Sequence, residues 1–252
     1  MGEWDRALAV VGTLPEGSAA AELATLVNFV GHIAAEDFDA ALAQIAAGDG
    51  PGPLADDLAR AWLTFGQGDM SGAVEIFEDI ASQRGLEELG ALHLALARAA
   101  VGDFEAANAI LSGETGVRIT NTERVVRARA QVLVQLGLRG EALDLLDGYT
   151  QAVPDPGLLA LQGRIGAGET DAYDFVNTAQ EGVAEVFFTV AQLLSGDRNT
   201  SLPLLMAQAA RGADPNHSDA LLLVGEILDQ ERQYGLIAEL LTAVPQGDPN
   251  FI

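Results

Sequence analysis

The sequence predicts an all-helical protein built from antiparallel helix pairs stacked one on the next, and three observations predict it. The first is a recurring stretch. A small or acidic pair, a bulky apolar residue and an alanine three places further on occur at Gly2-Glu3-Trp4 with Ala7, Glu36-Asp37-Phe38 with Ala41, Gly68-Asp69-Met70 with Ala73, and Gly102-Asp103-Phe104 with Ala107. The starts lie 34, 32 and 34 residues apart, and self-similarity at such a period marks a helical repeat. A weaker copy follows at Gly137-Leu138-Arg139 with Ala142, and a late one surrounds Tyr234. The second observation is composition: alanine and leucine dominate, strand signals are missing and aromatic residues make up only 6%, which favours helices. The third is punctuation. Glycine ends a helix in the left-handed conformation at little steric cost, and the acidic residue after it can cap the next helix.

Taken in order, a charged amphipathic helix spans 3–11, and a turn with Pro15 and Gly17 follows. The stripe Leu23, Leu26, Val27, Val30, Ile33 predicts a helix ending at Ala35, partnered by 38–46. Residues 48–53 are too dense in glycine and proline for a helix, and they lack the lysine and hydroxyl residue of a phosphate-binding loop. Helices at 54–65 and 71–82 form the next pair, then 86–100 with 104–111, and 122–136 with 141–149. Pro154-Asp155-Pro156 breaks the chain before a helix at 158–167, whose partner is replaced by an irregular crossing over 168–181. From Val183 the stripe Val183, Val186, Phe187, Val190, Leu194 is helical, and Leu202, Leu205, Met206, Ala209, Ala210 form its partner. Pro203 is tolerable there because it lies in the first turn.

The copy beginning at Ser218 carries the most specific likeness. Leu221, Val224, Gly225 and Leu228 occupy four signature places of a first helix, and Pro249, Pro215 and Pro154 close units. In these residues the chain resembles the tetratricopeptide repeat family, over about seven units or part-units. It departs from the pattern at Ile237 and Pro203, where an alanine is expected, and in the irregular unit near 155–182. The resemblance implies a right-handed superhelical stack over 1–252, cut from a longer array at both ends. Residues 181–188, Glu181-Gly182-Val183-Ala184-Glu185-Val186-Phe187-Phe188, resemble a segment of large alphaproteobacterial tetratricopeptide proteins of the cell envelope. This implies a bacterial source and favours periplasm or envelope over cytoplasm.

Chemistry-bearing constellations are scarce. Cysteine is absent, so there is no disulfide framework and no thiolate site. The three histidines, His32, His93 and His217, lack a second ligand at metal spacing and read as surface or partly buried helix and turn residues. The acidic pairs Asp56-Asp57, Glu78-Asp79 and Glu87-Glu88 are neighbours on a helix and do not face each other. No nucleophile-elbow pattern occurs. The sequence therefore predicts no enzyme, no cofactor and no metal. Acidic residues number 37 against 13 arginines, with no lysine, for a net charge of −24. That field repels nucleic acid and anionic membranes. No apolar run is long enough to span a bilayer.

Arg118, Arg124, Arg127 and Arg129 fall within twelve residues of this acidic chain, and arginine forks suit carboxylates. In the tetratricopeptide family the first helix of each unit lines a concave groove. Counted by that pattern, Arg124, Arg127 and Gln131 face the groove, with Leu58, Trp62, Phe65, Leu92 and Leu96 forming an apolar wall. The implied function is a non-enzymatic scaffold that holds a partner protein or peptide there. The alternative is a structural module of a cell-envelope complex that self-assembles into homo-oligomers.

Overall fold

A computed structural model of the chain describes residues 20–195 and 201–241. The expected helix at 3–11 with Trp4, the turn after it, and Pro249 lie outside these residues. Among the described residues there are thirteen α-helices and no strand. They are α1 Ala20–Ala34, α2 Phe38–Ala46, α3 Pro53–Gly66, α4 Met70–Ser82, α5 Glu87–Ala100, α6 Phe104–Leu111, α7 Glu123–Gln135, α8 Arg139–Thr150, α9 Pro156–Ala167, α10 Ala179–Leu194, α11 Ser201–Ala213, α12 Ser218–Gln230 and α13 Tyr234–Leu241. None is long and apolar enough to cross a membrane.

The recurring stretch is a recurring joint. Glu36, Gly68, Gly102 and Gly137 all have positive φ, at 57°, 85°, 80° and 74°. In each case the following N–H turns back to a carbonyl five residues earlier: Asp37 to His32, Asp69 to Thr64, Asp103 to Arg98 and Leu138 to Leu133. This closes the old helix through its last orphan carbonyls. At three of the joints the same residue opens the new helix with its carboxylate, which accepts from Ala40 N (3.2 Å), Gly72 N (2.9 Å) or Ala106 N (3.4 Å). The alanine three places beyond the bulky residue is fully buried in every case, at Ala41, Ala73, Ala107 and Ala142. Asp103→Ala is expected to cost about 1 kcal/mol in urea unfolding, with Asp103→Asn retaining most of the cap. An equal loss for both substitutions would assign the effect to the 3.1 Å ion pair with Arg98 instead.

The described chain divides into two compact units, 20–76 with 179–241, and 77–178. In the first, α1 packs on α2 and α2 on α3, as a nearest-neighbour array requires. The later helices α10 and α11 then return to it. Helix α10 lies along α3, and α11 packs on both α10 and α1. Two small residues permit the approach: a Cβ added at Gly182 would overlap the indole of Trp62, and one added at Gly66 would stand 2.7 Å from the Ala179 methyl. Phe29 meets Phe187 edge-on, with ring centroids 6.2 Å apart. These long-range contacts correct the expectation that each helix pair meets only its neighbours.

In the second unit α5 packs on α6, α6 on α7, α7 on α8 and α8 on α9. Its core gathers Val126, Ala130 and Leu133 of α7, Ala142 and Leu146 of α8, and Leu158, Leu161 and Ile165 of α9. Helix α7 begins with Thr122 accepting from Val125 N, and α9 with Asp155 accepting from Leu158 N. Residues 168–178 form no helix, as the sequence leads one to expect.

Candidate functional site

Helix α7 buries Val125, Val126, Ala128, Ala130, Val132 and Leu133. Among its residues left partly exposed, Arg124, Gln131 and Gln135 form a polar stripe, spaced by two turns and then one. The non-helical residues 168–178 lie along it as a strap. After Gly168 ends α9 in the left-handed conformation (φ 96°), side chains hold the strap. Arg139 donates to the Gly168 carbonyl (3.0 Å), Arg164 Nε to the Asp171 carboxylate (3.2 Å), and Gln135 Nε2 to the Asp171 carbonyl (2.7 Å).

Gln131 grips the next polar position from two sides. Its Nε2 donates to Asp174 Oδ1 (2.6 Å), and its Oε1 accepts from the Asp174 backbone N–H (3.2 Å). One residue on, the Arg124 guanidinium lies over the Phe175 ring, 4.5 Å from its centroid. Tyr173 and Val176 point the other way and are buried, with Tyr173 against Phe104 at 6.0 Å between ring centroids. A shallow cleft beside the strap is lined by Gln131, Val134, Leu161, Arg164, Asp171 and Asp174.

The sequence-derived site residues separate. Arg124 and Gln131 meet on the strap. Arg127, one helical turn from both, points elsewhere: its Nε is 3.5 Å from Glu123 Oε1, and its guanidinium lies beside Gly157 at the start of α9. Burial pushes the Glu123 carboxyl up, while Arg127 and Arg124 pull it down and Asp155 adds to the rise. The Tyr149 hydroxyl is raised by burial, then by the charges of Glu123 and Asp155. Arg129 turns to Asn108 of α6 (3.4 Å), and Arg118 is exposed in a loop. The arginines cluster in sequence and diverge in space, because a helix sends adjacent positions about 100° apart.

The apolar wall needs correction. Leu58, Trp62 and Leu96 are 1%, 0% and 2% exposed, so they are core residues and offer a ligand no surface. Phe65 and Leu92 are half-buried, and Phe65 stands edge-on to Trp62 at 5.4 Å. Gln135, Arg164 and Arg139 were not singled out from the sequence. Gln135 was visible as the next position on the Arg124 and Gln131 stripe, but the other two reach the strap from α8 and α9.

The histidines also differ from expectation. His93 is wholly buried and stacks on Phe77, with centroids 6.3 Å apart and planes 12° from parallel. Burial lowers its pKa to about 3, so it is neutral in the folded protein. His217 caps α12 by accepting from Ala220 N at Nδ1 (3.1 Å), while its Nε2 stands 3.2 Å from the buried Glu185 carboxylate. Among the described residues, no three His, Cys, Asp or Glu side chains gather as a metal site would require. No family model matches the chain, and no curated protein matches it.

Proposed function

We propose that this chain is a protein-recognition module that holds an extended polypeptide segment along α7 and performs no chemistry. The observation that carries this reading is the two-sided grip of Gln131 on Asp174, reinforced by Gln135 on the neighbouring main chain. Side-chain amides that read both a backbone group and a carboxylate suit an extended chain. The helical scaffold holds them in place, so ordering costs fall mainly on the ligand. The same reading takes the helix pairs as tetratricopeptide-type repeats that stack with a right-handed turn. Its support is the joint repeated at Glu36, Gly68 and Gly102 with the cap and buried alanine that follow each.

The test is selection from a displayed library of linear peptides on the parent chain and on a variant carrying Arg124→Glu, Gln131→Ala and Gln135→Ala. The two proteins are first matched for helicity and melting temperature. Peptides retained by the parent and lost by the variant are the expected result. If every selected peptide binds both proteins equally, recognition does not use α7 and the reading fails.

A further inference from the structure

We propose that residues 168–178 are a resident ligand of α7, displaced by a partner segment of the same chemistry. That partner is an extended chain presenting two carboxylates three residues apart, with an aromatic ring directly after the second, as Asp171, Asp174 and Phe175 do here. This inference rests on the recognition reading above and adds the identity of the occupant and the regulation of the site.

Three observations carry it. First, the strap is held as a receptor holds a peptide. Gln131, Gln135, Arg139 and Arg164 come from three helices and reach its main chain or its carboxylates. Second, the charges are complementary. The strap carries Glu169, Asp171 and Asp174, and three of the chain's 13 basic residues, Arg124, Arg139 and Arg164, meet it. In a protein of net charge −24, that places scarce positive charge where a carboxylate-bearing chain runs. Third, its polar contacts are open to solvent. The Arg164 and Asp171 side chains of one ion pair are 43% and 59% exposed, and such pairs hold weakly. Firm attachment comes from Tyr173 and Val176, 7% and 0% exposed. A strap with two apolar anchors and screened polar contacts belongs among the segments that open locally before the core does. When it opens, the stripe on α7 and the seats of those two anchors become available together.

The test uses a fluorescein-labelled peptide of residues 168–178 added to three forms of the full chain. They are the parent, a loosened form with Asp171→Ala, Tyr173→Ala and Asp174→Ala, and the loosened form with Arg124→Ala and Gln131→Ala added. A closed strap reduces apparent affinity by the fraction of molecules that are open. The loosened form should therefore bind at least about tenfold more tightly than the parent, and the third form should lose that gain. Equal binding by parent and loosened form, or no binding by a loosened form of parental helicity, overturns the proposal.

Should the loosened form fail to fold, hydrogen exchange of the unaltered chain decides. The Asp174 amide is expected to exchange about a hundredfold faster than the core amides of α7, and equal protection would make the strap a fixed part of the fold. The peptide selection separates this inference from the reading beneath it. Selected peptides that need α7 but lack the carboxylate and aromatic pattern leave the recognition module standing and sink the resident-ligand proposal.

Discussion

Gly182→Ala is expected to destabilise the protein by about 1–3 kcal/mol, although alanine is the better helix former by about 1 kcal/mol. The added methyl would overlap the Trp62 indole, which is fully buried and has no open side to move into. The contact can be isolated by a double-mutant cycle with Trp62→Leu. That substitution alone leaves a cavity and should cost about 3 kcal/mol. With the indole gone, Gly182→Ala should become nearly neutral or stabilising, giving a coupling energy of more than about 1 kcal/mol. Urea denaturation followed by circular dichroism measures all four corners. A Gly182→Ala cost that is the same in both backgrounds would show that α10 does not rest on Trp62.

The second large effect is a dependence on pH set by His93. Burial holds its folded pKa at about 3, well below the ordinary imidazole value of 6.5. The neutral imidazole therefore contributes stability that is fully present above about pH 6.5 and is lost as pH falls toward 3. The slope approaches 1.4 kcal/mol per pH unit, so between pH 7 and pH 5 the loss attributable to this residue is about 2 kcal/mol. Other groups titrate as well, and protonating carboxylates relieves the self-repulsion of a chain at −24. The informative quantity is therefore the difference between the parent and His93→Leu, which preserves volume and removes the titration. The parent should lose about 2 kcal/mol relative to His93→Leu as pH falls from 7 to 5. Parallel profiles would mean that the imidazole can take up its proton without leaving the core.

The joints between helices were legible in the sequence because their chemistry is local. Gly68-Asp69 and Gly102-Asp103 hold all that is needed to close one helix and open the next: a residue at ease with positive φ, a backbone N–H to turn back and a carboxylate to reach forward. The non-helical stretch after Gly168 was legible for a related reason. The residues before it end α9 at a left-handed glycine, and no helical stripe follows until Val183. The candidate site was legible in part. Arg124 and Gln131 share one side of α7, and their spacing of seven residues places them there whatever lies opposite. Arg127 was misplaced because helical spacing gives a direction but not a partner. The carboxylate of Glu123 one turn earlier and the start of α9 decide where its guanidinium goes.

By itself the sequence determined the helical class, the positions of the turns, the recurring alanines of the joints and the acidic composition, all of which are read from the chain or from neighbours within a few residues. The tertiary structure alone decided that α10 returns to α3, that Trp62 is core and not a contact surface, that His93 is buried against Phe77, and that residues 168–178 run along α7. The physical reason is common to the four. Burial and electrostatic partnership are properties of the whole packed environment, supplied here by residues far apart in the chain, and local periodicity carries no record of which apolar stripe will cover which.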